Sequence, residues 1–195
     1  MSAFSDDIRQ AVSVLRRGGI ILYPTDTVWG IGCDATSSEA VRRIFEIKRR
    51  SDAKALITLV GSVGALERTV DGIPDVAYEL IECSDRPLTI VYDRPLPAAH
   101  IAPELCAPDG TIGVRVTSEA FSSALCRVFG KPLVSTSANI SGTQTPKTFG
   151  GISGEIVFAV DYACLSRREE KERDDIKPSM VMRLSADGTF KILRS

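Results

Sequence analysis

The sequence predicts an α/β fold built on a mixed sheet. Three observations carry that reading. Short apolar runs of strand length alternate with amphipathic stretches at helical spacing along 195 residues. No repeat or linker divides them, so one domain spanning 1–195 is expected. Lys131-Pro132-Leu133-Val134 opens a buried strand that runs into Ser135-Thr136-Ser137-Ala138-Asn139-Ile140-Ser141-Gly142, where five of eight residues carry a hydroxyl or an amide. An unpaired buried polar group costs about 1–3 kcal/mol, so this stretch must meet polar partners. Its own backbone, in a Ser/Asn-rich turn, and a ligand are equally open on composition.

Taken in order, Asp6 to Arg17 spaces Ile8, Ala11, Val12 and Leu15 as an amphipathic helix, ended by Gly18-Gly19. Ile20–Tyr23 reads as a buried strand, left through Pro24–Gly32 as a polar turn with two glycines. Thr36-x-x-Glu39 reads as a capping box for a helix ending in Lys48-Arg49-Arg50, where cations complement the helix dipole. Ala55–Val60 is a strand, Gly64–Arg68 a short helix, and Pro74 starts a helix reaching about Glu82. Pro87–Tyr92 is a strand, and residues 93–110, with four prolines, are a loop holding at most one helical turn. Thr111–Val116 is a strand, and Ser118 caps a helix closed by Gly130. After the Leu133 strand, Gly142–Gly154 reads as a mobile polar loop and Ile156–Val160 as a strand. Arg167–Lys177 is a charge run expected to be an exposed loop or a solvated helix face. Ser179–Leu184 and Thr189–Arg194 form a closing hairpin turned at Asp187-Gly188. The total is roughly seven strands and four or five helices.

Composition excludes several classes of function. The net charge is −1, with 24 basic and 25 acidic residues, so no global basic field draws the chain to nucleic acid. Five widely spaced cysteines with no C-x-x-C pair, beside the one histidine His100, argue against a zinc site and for reduced thiols in a cytoplasmic protein. A start of Met1-Ser2-Ala3-Phe4 without a basic n-region, and the lack of a long apolar run, predict neither signal peptide nor membrane span. There is no P-loop, because Gly130-Lys131 is followed by Pro132. Gly30-x-Gly32 lacks the third glycine of a dinucleotide fingerprint. With no G-x-S-x-G elbow and a single histidine, a Ser-His-Asp hydrolase is excluded too.

What remains is a set of cations and hydroxyls at strand ends. Lys48, Arg50 and Lys54 cluster after a helix. Arg115 lies between Val114 and Val116 and needs a partner if buried, either internal (Asp26 or Asp34) or an anionic ligand gripped by its planar fork. Asp26, between two threonines, reads as a turn residue bonding its own backbone. Cations and hydroxyls without a nucleophile suit phosphoryl or nucleotidyl transfer, where the protein positions reactants and neutralises charge.

Taken together these stretches resemble the YrdC/TsaC family, the threonylcarbamoyl-AMP synthases. The match is carried by Pro24-Thr25-Asp26-Thr27-Val28-Trp29-Gly30-Ile31-Gly32, Lys48-Arg49-Arg50 with Lys54, Pro87-Leu88-Thr89, Thr111–Val116, Ser135–Gly142, Pro178-Ser179 and Arg194, in the family's order. The resemblance implies a twisted mixed sheet with outer helices around a large positively lined cavity. It implies a reaction in which threonine's amine takes up bicarbonate or CO2, and the carbamate attacks the α-phosphate of ATP with loss of pyrophosphate. It also implies Mg2+ held mainly by the phosphates, and a partner enzyme that uses the adenylate to modify a tRNA adenosine. By the same resemblance, Lys48, Arg50, Ser137 and Asn139 carry the catalysis. Arg50, Lys54, Thr111, Ser137, Asn139 and Arg194 bind ATP, and Thr27, Arg115, Ser135 and Ser179 bind threonine. The split between Ser135 and Ser137/Asn139 follows from a strand's period of two together with the family pattern.

The chain departs from the family pattern at Trp29 for Tyr, Ala55 for Pro, Leu59 for a His near the threonine, Ser84-Asp85-Arg86 for Trp-Pro-Gly, and Met180 for Thr. Leu59 keeps open a paralogue with the same fold and a different carbamoyl substrate. An RNA-binding module is the other alternative, including weak tRNA binding; the charge of −1 opposes it.

Overall fold

The computed structural model describes residues 2–49, 56–172 and 178–195. Among these, six α-helices surround nine strands of one sheet. In chain order they are α1 (Ala3–Arg16), β1 (Ile21–Tyr23), β2 (Gly30–Gly32), α2 (Ser38–Ile47), β3 (Ile57–Val60), α3 (Val63–Glu67), α4 (Val76–Cys83) and β4 (Leu88–Tyr92). There follow β5 (Ile112–Val116), α5 (Ala120–Phe129), β6 (Leu133–Ser137), α6 (Gly154–Ala159), β7 (Tyr162–Ala163), β8 (Met180–Leu184) and β9 (Phe190–Arg194). The strand order is β7-β1-β2-β6-β3-β5-β4-β8-β9. The pairs β1/β7, β3/β5 and β4/β8 are parallel and the rest antiparallel, so the sheet is mixed, as the sequence predicts. No helix among the described residues is long and apolar enough to cross a membrane.

The two faces are covered unequally. On one face, Ile20, Leu22, Ile31 and Val134 pack under α2 and α6, and Val60, Ile90, Val114 and Met182 pack with residues of α3 and α4. On the other, α1 and α5 cover only Ile21, Tyr23, Leu59 and Leu133. Each such side chain contributes about 1.5–3 kcal/mol on burial. Beyond that apolar patch the same face turns polar, because the register aligns Leu59 with Arg115 and Gly30 with Ser137. The two glycines read as a turn are instead strand β2. They admit the Tyr23 ring, since a Cβ at Gly32 would sit 2.7 Å from it and 2.6 Å from Val134 O.

Local polar chemistry moved several boundaries. Ser2 caps α1, which therefore starts earlier than Asp6. Ser37, not Thr36, caps α2, because Thr36 donates its hydroxyl and its N–H to Asp34 Oδ1 (2.6 and 2.8 Å). Glu119, not Ser118, caps α5 through Phe121 N and Ser122 N. The 93–110 loop holds two 3-10 turns, Pro97–Ala99 and Pro103–Leu105, each opened by a proline. The stretch read as a strand at 156–160 is largely α6, where Ser153 caps the helix and helical spacing buries Ile156 but exposes Phe158. Its place in the sheet is taken by β7. The 142–154 loop is anchored rather than loose: Phe149 stacks on Trp29 at 4.9 Å, the Arg168 guanidinium lies 4.5 Å over Phe149, and Ile152 is buried. The described part of the charge run is anchored as well, with Arg167 donating to Thr25 O and Arg168 to Cys164 O.

Asp7 shows how one charge fixes the N-terminal helix. Its carboxylate is buried and accepts from Tyr162 OH (2.7 Å), Leu165 N (3.0 Å) and Ser166 N (2.6 Å). Burial pushes its pKa up, but these hydrogen bonds outweigh it and hold the carboxyl below the ordinary value. A lowered folded pKa stabilises above the unfolded value of about 3.9, and that stability is lost as pH falls through the folded one. Asp7→Asn, which puts an amide donor against backbone N–H groups, is expected to cost about 3 kcal/mol at pH 7. The gap from the parent should narrow at about pH 3, as urea midpoints at the two pH values would record.

Candidate active site

Two polar clusters lie on the uncovered part of the sheet. The first centres on Arg115 of β5. Its side chain is 7% exposed, and Nη1 meets Asp26 Oδ1 at 2.8 Å. Nε donates to Thr89 Oγ1 (3.1 Å) and Nη2 to Ser179 Oγ (2.7 Å). Asp26 is therefore the internal partner of Arg115, not a turn residue closed on itself. Three of five guanidinium N–H groups are engaged, leaving one on each terminal nitrogen without a described protein partner. Arg194, at the end of β9, donates to Ser179 O through Nε (3.1 Å) and Nη2 (3.0 Å), and to Ser179 Oγ through Nη2 (2.9 Å). Two guanidinium groups thus converge on one buried hydroxyl. Burial first, then the nearby Arg115 charge, pushes the Arg194 pKa down. Among the described residues, two cations meet one carboxylate, Asp26, in this cluster, a positive excess.

The second cluster is the turn after β6. Ser137 Oγ donates to Asn139 Oδ1 at 2.5 Å, and Asn139 Nδ2 donates to Ile140 O (3.1 Å) and Thr143 O (2.7 Å). The Lys48 ammonium donates to Ser137 O (2.6 Å) and Asn139 O (2.8 Å). Ser135 is buried in β6 beside Gly30, where a Cβ would lie 3.5 Å from its hydroxyl. Thr27 stands beside Asp26, with its hydroxyl 3.3 Å from Thr25 Oγ1.

Six of the expected site residues thus fall into two sets. Arg115, Ser179 and Arg194 meet directly, as do Lys48, Ser137 and Asn139. Thr111 joins neither set, since its hydroxyl donates to Asp109 Oδ1 at 2.7 Å. Arg50 and Lys54 lie outside the described residues. Sequence reading named Asp26 as one candidate partner of Arg115, beside Asp34, but missed the role of Thr89, although Thr89 stands inside a motif block and a buried strand arginine requires such neighbours. Leu59 is fully buried in one cluster with Tyr23, Leu133 and Phe121, so it packs with the α1/α5 core on the same sheet face as Arg115, its partner in register. Among the described residues, Thr25, Thr27, Trp29, Lys147 and Arg167 are among those lining an open cleft. Burial pushes the pKa of the buried thiols up, Cys126 to about 12 and Cys33 and Cys164 as well.

Comparison with known proteins gives the family. The Sua5/YciO/YrdC family model, described as telomere recombination, matches residues 13–195. A threonylcarbamoyl-AMP synthase of Pseudoalteromonas translucida (strain TAC 125) is 38% identical over 159 residues, 80% of this chain and 83% of that protein. One from Shigella flexneri is 34% identical over 187 residues, 94% of this chain and 96% of that protein. Among solved structures, P. abyssi Sua5 complexed with L-threonine superposes with a TM-score of 0.84 at 27% identity, covering 96% of this chain and 53% of that one, so this chain spans about half its length. E. coli YciO superposes at 0.80 with 26% identity, covering 96% of this chain and 88% of that one. With the profile match running from residue 13 to residue 195 over the same strands that carry the two clusters, the chain belongs to the Sua5/YciO/YrdC family.

Proposed function

We propose that this chain makes threonylcarbamoyl-AMP from L-threonine, bicarbonate or CO2, and ATP, as a single YrdC-like unit over residues 1–195. The observation that carries the reading is the Arg115–Ser179–Arg194 cluster, with its positive excess and two guanidinium N–H groups still available. A carboxylate matches that fork, and the P. abyssi relative of this fold is complexed with L-threonine.

Threonine's carboxylate binds Arg115, with Ser179, Ser135 and Thr27 around the rest of the amino acid. Its amine nitrogen forms a bond to the carbon of CO2 and loses a proton, giving the carbamate. A carbamate oxygen then forms a bond to the α-phosphorus of ATP, and the bond from that phosphorus to the bridging oxygen breaks as pyrophosphate leaves. Ser137, Asn139, Arg50 and Lys54 bind the nucleotide, as the family pattern implies, with Arg194 closing over it. Catalysis here is positioning and charge neutralisation. Mg2+ fits this site as a companion of the triphosphate: the two clusters are made of cations and hydroxyls, and Mg2+ is held readily by phosphate and water oxygens. When bound, it neutralises phosphate charge. The product passes to a tRNA-modifying partner enzyme, in the cytoplasm.

The test is pyrophosphate release from folded protein supplied with all three substrates. Release that requires threonine, bicarbonate and ATP together is expected; no release with all three present would sink the proposal. The apolar Leu59, in register with Arg115, favours a second reading, a family member acting on another amino acid. The same assay with other amino acids decides between the two, since a higher rate with one of them than with threonine selects the second.

A further inference from the structure

We propose that Lys48 is a positioning residue that braces the Ser137–Asn139 turn, rather than a ligand of the triphosphate. The inference rests on the assignment of Ser137 and Asn139 to the nucleotide, but its structural half stands on geometry alone.

Lys48 is 2% exposed, although it ends a helix whose neighbouring Arg49 is exposed. A buried ammonium needs hydrogen-bond acceptors to offset the loss of water. Two such acceptors are carbonyls of one turn, Ser137 O at 2.6 Å and Asn139 O at 2.8 Å. The contact is reciprocal, because Ser141 N donates to Lys48 O at 3.0 Å. Three hydrogen bonds therefore tie the C-terminal end of α2 to a turn that would otherwise project from β6. A cation at that helix end also complements the dipole of α2. The carbonyls point at Lys48, so the side chains of Ser137 and Asn139 are left to bond each other at 2.5 Å and to face the open side of the sheet. An ammonium engaged in this way holds the groups that would meet a nucleotide.

The arrangement separates two roles that a simple loss of activity would merge. A phosphate ligand acts on ATP independently of Ser137 and Asn139. A brace acts only through them.

The experiment compares the parent with Lys48→Met, which keeps length and removes the donor. Amide hydrogen exchange without ligand is read at Ala138, Asn139 and Ser141, with the β8–β9 hairpin as internal reference. Exchange in the turn should accelerate by at least about tenfold, the equivalent of one lost hydrogen bond, while the hairpin is unchanged. Unchanged exchange in the turn overturns the brace. The second arm measures ATP affinity in a double-mutant cycle with Ser137→Ala/Asn139→Ala. The brace predicts that Lys48→Met weakens ATP in the parent but by less than about twofold in the doubly substituted background. Equal losses in both backgrounds make Lys48 a direct ligand and overturn the proposal. If Lys48→Met does not fold, Lys48→Gln replaces it; its amide reaches one carbonyl in place of two, and exchange of the turn at the parental rate again overturns the brace. A parent that binds no ATP would sink the proposed function, yet the exchange arm would still decide the brace.

Discussion

Arg115→Ala is expected to weaken threonine binding by at least about 100-fold while changing ATP binding by less than about threefold, taking two charge-assisted hydrogen bonds at about 1.5–3 kcal/mol each as the lost contact. The guanidinium is already held from three sides by Asp26, Thr89 and Ser179, so its orientation is set before any ligand arrives. Preorganisation of this kind keeps the cost of ordering out of the binding step. The same substitution leaves Asp26, whose side chain is 11% exposed, without its cation. Breaking a buried pair from one side costs about 3–5 kcal/mol, so a lower urea midpoint is expected with the loss of affinity. Arg115→Lys separates the two effects. It keeps the charge beside Asp26 and the fold, but a point ammonium lacks the fork that grips a carboxylate twice. Calorimetric titration of both ligands into the lysine variant should still show threonine weakened by about tenfold or more, the worth of one such bond. Equal losses of threonine and ATP would count against the assigned role.

Ser137→Ala and Asn139→Ala should show the opposite preference. Each is expected to raise the ATP concentration for half-saturation by about 10- to 100-fold, the worth of one hydrogen bond to a charged phosphate, with threonine affected by less than about threefold. Ser137 donates to Asn139 Oδ1, and Asn139 Nδ2 fastens the turn through Ile140 O and Thr143 O. Residues wired this closely act as a unit, so the double variant should lose much less than the product of the two single losses. Asn139→Ala should be the more damaging of the pair, because it also removes the two bonds that hold the turn. Steady-state titration of each substrate at saturating levels of the other is the measurement. A loss confined to threonine would refute the assignment of this turn.

Much of the site was legible in the chain itself. A strand arginine between two valines demands partners, and Arg115 has them. Ser135–Gly142 reads as a stretch needing polar company, and the structure supplies that company from the protein itself: it is a turn wired to its own backbone on a polar face of the sheet. What could not be read was which partner each group takes. Asp26 looks like a turn residue because its partner lies 89 positions away. Lys48 looks like one of a cluster of cations at a helix end because the carbonyls it meets belong to a turn about 90 residues later. The 156–160 stretch looks like a strand because five apolar residues in a row carry no period, and only the Ser153 cap and the exposed Phe158 distinguish the helix.

The sequence by itself determined the α/β class, the alternation of elements, the motif blocks and hence the family, because these depend on local periodicity and short spacings. Tertiary structure alone decided how the sheet closes. The order β7-β1-β2-β6-β3-β5-β4-β8-β9 brings Asp26, Thr89, Arg115, Ser179 and Arg194 from five separate segments to one hydroxyl-lined point. Register across non-neighbouring strands is set by the total burial of both faces, and a pairwise contact between distant residues leaves no trace in the spacing of either.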